Sequence, residues 1–147
     1  MLIETDAHRG APGGVGATKC AGNYAAVLQS QLTAKRAGFT DVLLLDPSSG
    51  DLLEEASAGN VFVVSGNRVK TPCLRGTFLE GVTRGSVLQL LHDEGFAAEE
   101  ADVSVADAMD ADEVFLSGTA SGVCLVRSLT YHGARPTRLW LVNMFSF

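Results

Sequence analysis

Residues 7–19, AHRGAPGGVGATK, set four glycines (Gly10, Gly13, Gly14, Gly16) ahead of Lys19. So much glycine rules out regular helix or strand there. It predicts a loop whose backbone passes close to another element or adopts positive φ. From Tyr24 the spacing becomes helical: Tyr24, Val27, Leu28, Gln31 and Leu32 share one face, and Lys35 and Arg36 occupy the last turn. Gly38 supplies the stop. Any fold open to this chain must therefore hold a tight loop against a neighbour and launch a helix from it.

Beyond that point short apolar runs alternate with turns. Val42–Leu45 reads as a buried strand, and Asp46-Pro47-Ser48-Ser49-Gly50 as a turn. Val61–Val64 and Arg68–Thr71, joined by Ser65-Gly66-Asn67, predict a hairpin. A helix is expected over residues 83–94, with Val87, Leu88, Leu90 and Leu91 apolar and Gly95 closing it. Ser104-Val105-Ala106-Asp107 has the form of a capping box opening a short helix to about Met109. Glu113–Leu116 and Val123–Ser128 read as strands around the Ser117-Gly118-Thr119-Ala120 turn. The class is α/β with mixed strand directions, in one domain.

At 147 residues the chain can bury one core, and 46% hydrophobic with 19% charged residues is globular composition. A net charge of −6 gives no basic surface for nucleic acid. Cys20, Cys73 and Cys124 form neither a CxxC pair nor a Cys/His quartet, so neither a metal site nor a disulfide framework is expected. Cys20 and Cys73 are expected as small buried hydrophobes. No run approaches the ~18–20 apolar residues of a membrane span, and the first residues carry no secretory pattern.

Four segments, in order, are GGVGATKCAGNYAAVL (13–28), LLEEASAGNVFVV (52–64), TPCLRGTFLEGVTRGSVLQL (71–90) and DADEVFLSGTASGV (110–123). Together they resemble the fold-type IV pyridoxal-phosphate enzymes, and within them the branched-chain aminotransferases, plant-type members above all. The likeness runs from about Leu2 to Gly133.

The resemblance implies a role for each of several residues. Lys19 matches the lysine that binds pyridoxal phosphate covalently. An amine must shed its proton to attack a carbonyl, which a sheltered pocket favours. Freed by the incoming amino acid, it would then move a proton as acid and base. Tyr24 matches the tyrosine that meets the cofactor's phenolic oxygen; it also suits a half-buried core position. Glu55 matches the carboxylate paired with the pyridine nitrogen, which keeps that ring an electron sink. It lies five residues before Asn60, as the family spacing requires, and the adjacent Glu54 is expected on a solvated face. Val82 and Thr83 match the phosphate turn. A glycine followed by helix-start N–H groups makes an anion site in its own right, and Thr83 could equally be a plain N-cap. Thr119 and Ala120 match the turn whose hydroxyl meets phosphate and whose amides receive the substrate carboxylate. Ser121 and Cys124 stand where some animal members have a redox-active Cys-x-x-Cys, so that switch is not expected. His8, His92 and His132 match no catalytic position, and Arg9 is too near Lys19 in sequence to be the family's phosphate arginine.

The implied activity is transfer of the amino group of leucine, isoleucine or valine to 2-oxoglutarate, with small amino acids and 2-oxo acids as partners and a homodimer as the assembly. A D-amino-acid aminotransferase, an aminodeoxychorismate lyase and a non-catalytic fragment are the alternatives. Residues 1–133 are expected as the cofactor-binding domain and 134–147 as a divergent apolar tail. The family's first domain is expected to lie outside this chain, and the compartment to be cytoplasmic, plastid or mitochondrial.

Overall fold

A computed structural model describes residues 1–132 and 137–139. Strand β1 (Leu2–Glu4) leads through the glycine loop to helix α1 (Ala21–Arg36) and β2 (Val42–Leu45). There follow β3 (Leu53–Ala56), β4 (Gly59–Ser65), β5 (Arg68–Pro72), α2 (Val82–Asp93) and β6 (Ala97–Ala101). Then come α3 (Val105–Met109), β7 (Glu113–Gly118), β8 (Gly122–Leu125), β9 (Ser128–Leu129) and β10 (Thr137–Arg138). Residues 140–147 of the expected apolar tail lie outside the described residues; Thr137–Arg138 pairs with β9, and Leu139 is buried.

Two parallel pairs, β1 with β2 and β5 with β6, are each crossed by a helix, α1 and α2. Parallel neighbours need such a crossover because a tight turn cannot reverse the chain twice. Between them, β2, β3, β4 and β5 run antiparallel in order, with β7 on the other edge of β4 and β8 beyond it. Ile3 N–H donates to Thr130 O at 2.8 Å and Leu53 N–H to Val103 O at 2.7 Å, which ties the segments after β9 and β6 to the sheet.

Both faces of the sheet are buried, which is why VLLL and VFVV are unbroken apolar runs. Leu43, Leu45, Val61, Val63 and Val114 fill the inner core. Val42 and Leu44 face α1 through Val27 and Ala34. Phe62, Val64 and Phe115 face Val87 and Leu91 of α2, with Phe62 and Phe115 stacked at 4.8 Å.

The structure revises several expectations. α1 starts at Ala21 rather than Tyr24, and Leu28 and Leu32 are exposed at 52% and 40%. Only Asn23, Val27 and Ala34 of the helix are buried, and of these Val27 and Ala34 pack on β2. Gly38 does close the helix, at φ +89° with its N–H on Lys35 O. The capping box is present in full, with Ser104 and Asp107 satisfying one another's backbone N–H. At α2, by contrast, the N-cap is Gly81, so Thr83 is no cap. Cys20 and Cys73 are half-buried rather than buried, and Cys124 is exposed.

Candidate active site

The glycine loop meets the turn ahead of α2 backbone to backbone. A Cβ on Gly16 would sit 2.0 Å from Thr77 O, and one on Gly10 2.2 Å from the same oxygen, so only glycine fits at either place. Asn23, buried in α1, donates from Nδ2 to Val15 O and Thr18 O, each at 2.8 Å. These two bonds tie the end of the loop to the helix and fix where Lys19 leaves it.

Lys19 Nζ donates to Tyr24 Oη at 2.8 Å. Tyr24 lies on the first turns of α1, five residues on, so one helical turn and the N-cap bring the two together. That hydrogen bond, reinforced by the charges of Lys19 and Arg9, holds the Tyr24 phenol below its ordinary range. Lys19 is exposed, not sheltered.

Glu55 is 3% exposed and pairs with Arg9 Nη1, whose side chain is 2% exposed. Its Oε1 also accepts from Leu79 N–H at 3.4 Å. The Arg9 guanidinium sits 5.2 Å from the Tyr24 ring centroid. One buried cation thus links Glu55 to Tyr24 and, through it, to Lys19. Sequence reasoning considered Arg9 only as a phosphate ligand and missed this. A buried guanidinium needs a carboxylate, and an arginine opening the glycine loop was the available signal.

Asn60 joins the remaining pieces. On β4 it stands opposite Glu55 of β3 on one side and Ser117 of β7 on the other. Its Nδ2 donates to Leu79 O at 2.9 Å, and a Cβ on Gly81 would meet its Oδ1 at 2.2 Å. The sheet register therefore brings together the glutamate, the start of α2 and the β7–β8 turn. Val82 is 85% exposed, Thr83 half-buried, and Thr119 and Ala120 exposed. The N–H groups of Val82, Thr83 and Arg84 have no carbonyl four residues back inside α2, and its first turn carries no acid. The structure brings Lys19, Tyr24 and Glu55 into one connected cluster, and Asn60, beside Glu55, reaches Leu79 and Gly81 just ahead of Val82 and Thr83. Thr119 and Ala120 lie just beyond Ser117, with no side-chain contact to that cluster given. A cleft lined by Phe39, Asp41, Leu116, Cys124 and Leu125 contains none of these residues.

Glu54 corrects another expectation: it is 1% exposed, not on a solvated face. Burial pushes its carboxyl up to about 6, against a partial pull from the Thr77 hydroxyl.

An exposed lysine on a phenol, a buried acid pinned by arginine, and a helix start open to anions form an uncommon set. The family model for class IV amino-transferases matches residues 3–129. The chain belongs to the class IV aminotransferases. It is 49% identical over 135 residues to the chloroplastic branched-chain amino acid aminotransferase 2 of Humulus lupulus, covering 92% of this chain and 33% of that protein. The class IV fold itself is matched by the branched-chain amino acid aminotransferase of Escherichia coli, with TM-score 0.82, 28% identity, and 95% of this chain on 44% of that one. A T.th. branched-chain amino acid aminotransferase solved with pyridoxamine 5'-phosphate has TM-score 0.81, 30% identity, and 93% of this chain on 44% of that one. The chain thus spans about a third of the length of the curated relative and under half of the solved structures.

Proposed function

We propose that this chain is the cofactor-binding part of a branched-chain amino-acid aminotransferase that uses pyridoxal 5'-phosphate. The observation that carries the reading is the linked set Lys19–Tyr24–Arg9–Glu55, in which an amine, a phenol and a buried acid are joined by a hydrogen bond, a cation–π contact and an ion pair. The donor set fits the cofactor. Glu55 is a buried carboxyl paired with Arg9, suited to a ring N–H. Tyr24 is a phenol suited to a ring oxygen. The α2 start, shaped by the missing Cβ of Gly81, suits a phosphate.

Pyridoxal phosphate, when bound, supplies an electron sink that acidifies the amino acid's Cα–H. The chain's own groups do the rest. Lys19 Nζ holds the cofactor and, when free, carries the proton taken from Cα. Tyr24 accepts a hydrogen bond from Lys19 and orients it. Glu55 holds the ring nitrogen in its protonated form. Val82 and Thr83 fix the phosphate by backbone N–H, while Thr119 and Ala120 offer a hydroxyl and amides to phosphate and substrate carboxylate. The partners are leucine, isoleucine or valine and 2-oxoglutarate, and an organelle is the compartment that the relative's name suggests. Residues 1–133 act as the cofactor-binding domain, and the groups that enclose the substrate come from outside the chain. A homodimer is the assembly.

The test is spectroscopic. Purified chain given pyridoxal phosphate should develop a visible band that survives dialysis and is lost in Lys19→Ala. L-leucine should bleach that band, and D-alanine and aminodeoxychorismate should not. A wild-type chain that retains no band contradicts the reading.

A further inference from the structure

The buried side of α2 is Arg84, Val87 and Leu91, spaced three and then four residues apart, and the first of the three is a charge. Val87 and Leu91 pack with Phe62 and Phe115, as an inward helical stripe should. Arg84 is 2% exposed at a position where an apolar side chain would need no partner. Its Nε is buried without a hydrogen-bond partner, which raises the cost of placing it there. Its Nη2 donates to Pro72 O at 2.9 Å and pairs with Glu100 Oε1. Pro72 ends β5, and Glu100 lies on β6 one register step away. One guanidinium therefore ties the head of α2 to both strands of the parallel pair that the helix crosses.

The first turn of α2 needs such an anchor. No side chain caps it. Gly81 and Gly85 bracket it, and glycine and the β-branched Val82 and Thr83 are weak helix formers. Asn60 meets the turn at Gly81, and Arg84 ties it to the sheet.

We propose that Arg84 is a positioning residue for the phosphate end of the cofactor: held by Pro72 O and Glu100, it fixes the N–H groups of Val82 and Thr83 where the anion meets them. The proposal rests on reading the start of α2 as the phosphate site. With Nη2 committed to the two strands, Arg84 acts on the phosphate through the helix start and not by touching it.

The sign of one substitution separates this role from simpler ones. Glu100→Ala removes a negative charge near an anion site and releases Arg84. Charge alone, or a direct contact between Arg84 and phosphate, then gives tighter phosphate binding. Positioning gives weaker binding, because the helix start loses one of the two contacts that hold it.

The experiment titrates the 147-residue chain with inorganic phosphate at constant ionic strength, without cofactor, following the backbone amide signals of Val82 and Thr83 by NMR. These signals should shift saturably in the wild type. Glu100→Ala should weaken the binding about three- to tenfold, the worth of roughly one hydrogen bond, while amide signals away from the start of α2 stay in place. Glu99→Ala removes the same charge from the exposed neighbouring residue of β6 and should not weaken binding. Arg84→Met should weaken it in the same direction as Glu100→Ala. Should Arg84→Met not fold, Glu100→Ala carries the test alone, at a side chain 47% exposed. Unchanged or tighter binding in Glu100→Ala, or an equal loss in Glu99→Ala, overturns the proposal. A wild type whose Val82 and Thr83 signals ignore phosphate overturns it together with the phosphate site. Capture of pyridoxal phosphate by Lys19 is read separately by its visible band, so failure there leaves this result standing.

Discussion

At the scale of residues, the site depends on charges taken out of water and on the groups that answer them. Removing Arg9 would leave Glu55 buried without its cation, so Arg9→Ala should cost about 3–5 kcal/mol. Urea unfolding at neutral pH measures that loss. Glu54 should behave in the opposite sense. Its folded value, about 6, lies above the ordinary 4.5, so the folded protein holds the proton more tightly than the unfolded chain. Stability then falls as pH rises from 4.5 to 6, and the full cost, about 2 kcal/mol, persists above that range. Glu54→Gln should therefore stabilise the chain by about that amount at roughly pH 8, and the gain should vanish below about pH 4.5. Unfolding curves at both pH values check the sign. Lys19, Tyr24 and Glu55 were named from the family resemblance, Glu55 by its spacing to Asn60, and the structure brings the three into one cluster. Arg9 and the burial of Glu54 were not, since both depend on which strands lie side by side.

At the scale of elements, the structure follows the sequence where its pattern is dense and departs from it where tertiary pairing decides. Val42–Leu45, the β4–β5 hairpin, Gly38 and the Ser104 capping box stand where the sequence puts them. The strands β3 (LEEA) and β6 (AAEEA) have no β-type signature. They exist because β2 and β4 flank the first and β5 offers a free edge to the second, a context that overrides propensity. Asn60 shows the same limit: its spacing to Glu55 was visible, but not its place at the junction of β3, β7 and α2. Two substitutions test the junctions. Gly81→Ala places a Cβ against Asn60 Oδ1 and should push the start of α2 away, destabilising by about 1–3 kcal/mol and weakening pyridoxal-phosphate retention. Asn23→Ala removes the two side-chain hydrogen bonds to Val15 O and Thr18 O, each of which keeps a backbone donor, and should cost about 1–3 kcal/mol, measured by thermal unfolding.

At the scale of the whole molecule, one mixed sheet with α1 and α2 packed against it positions the candidate groups. Lys19 itself is exposed. The β8 strand is exposed along Gly122–Leu125 and pairs only with β7 among the described residues. With Val123 and Leu125 each 43% exposed, that edge favours self-association of the isolated chain. Val123→Lys should lower its apparent mass at high concentration in sedimentation, with no loss of cofactor retention. The central claim is more direct: one lysine of this chain, held on Tyr24, is the cofactor's attachment point. Incubation with pyridoxal phosphate, borohydride reduction and peptide mass spectrometry reads that position. The expected result is the reduced phosphopyridoxyl group on Lys19 alone, whereas equal labelling of Lys35 and Lys70, or none at Lys19, would contradict it.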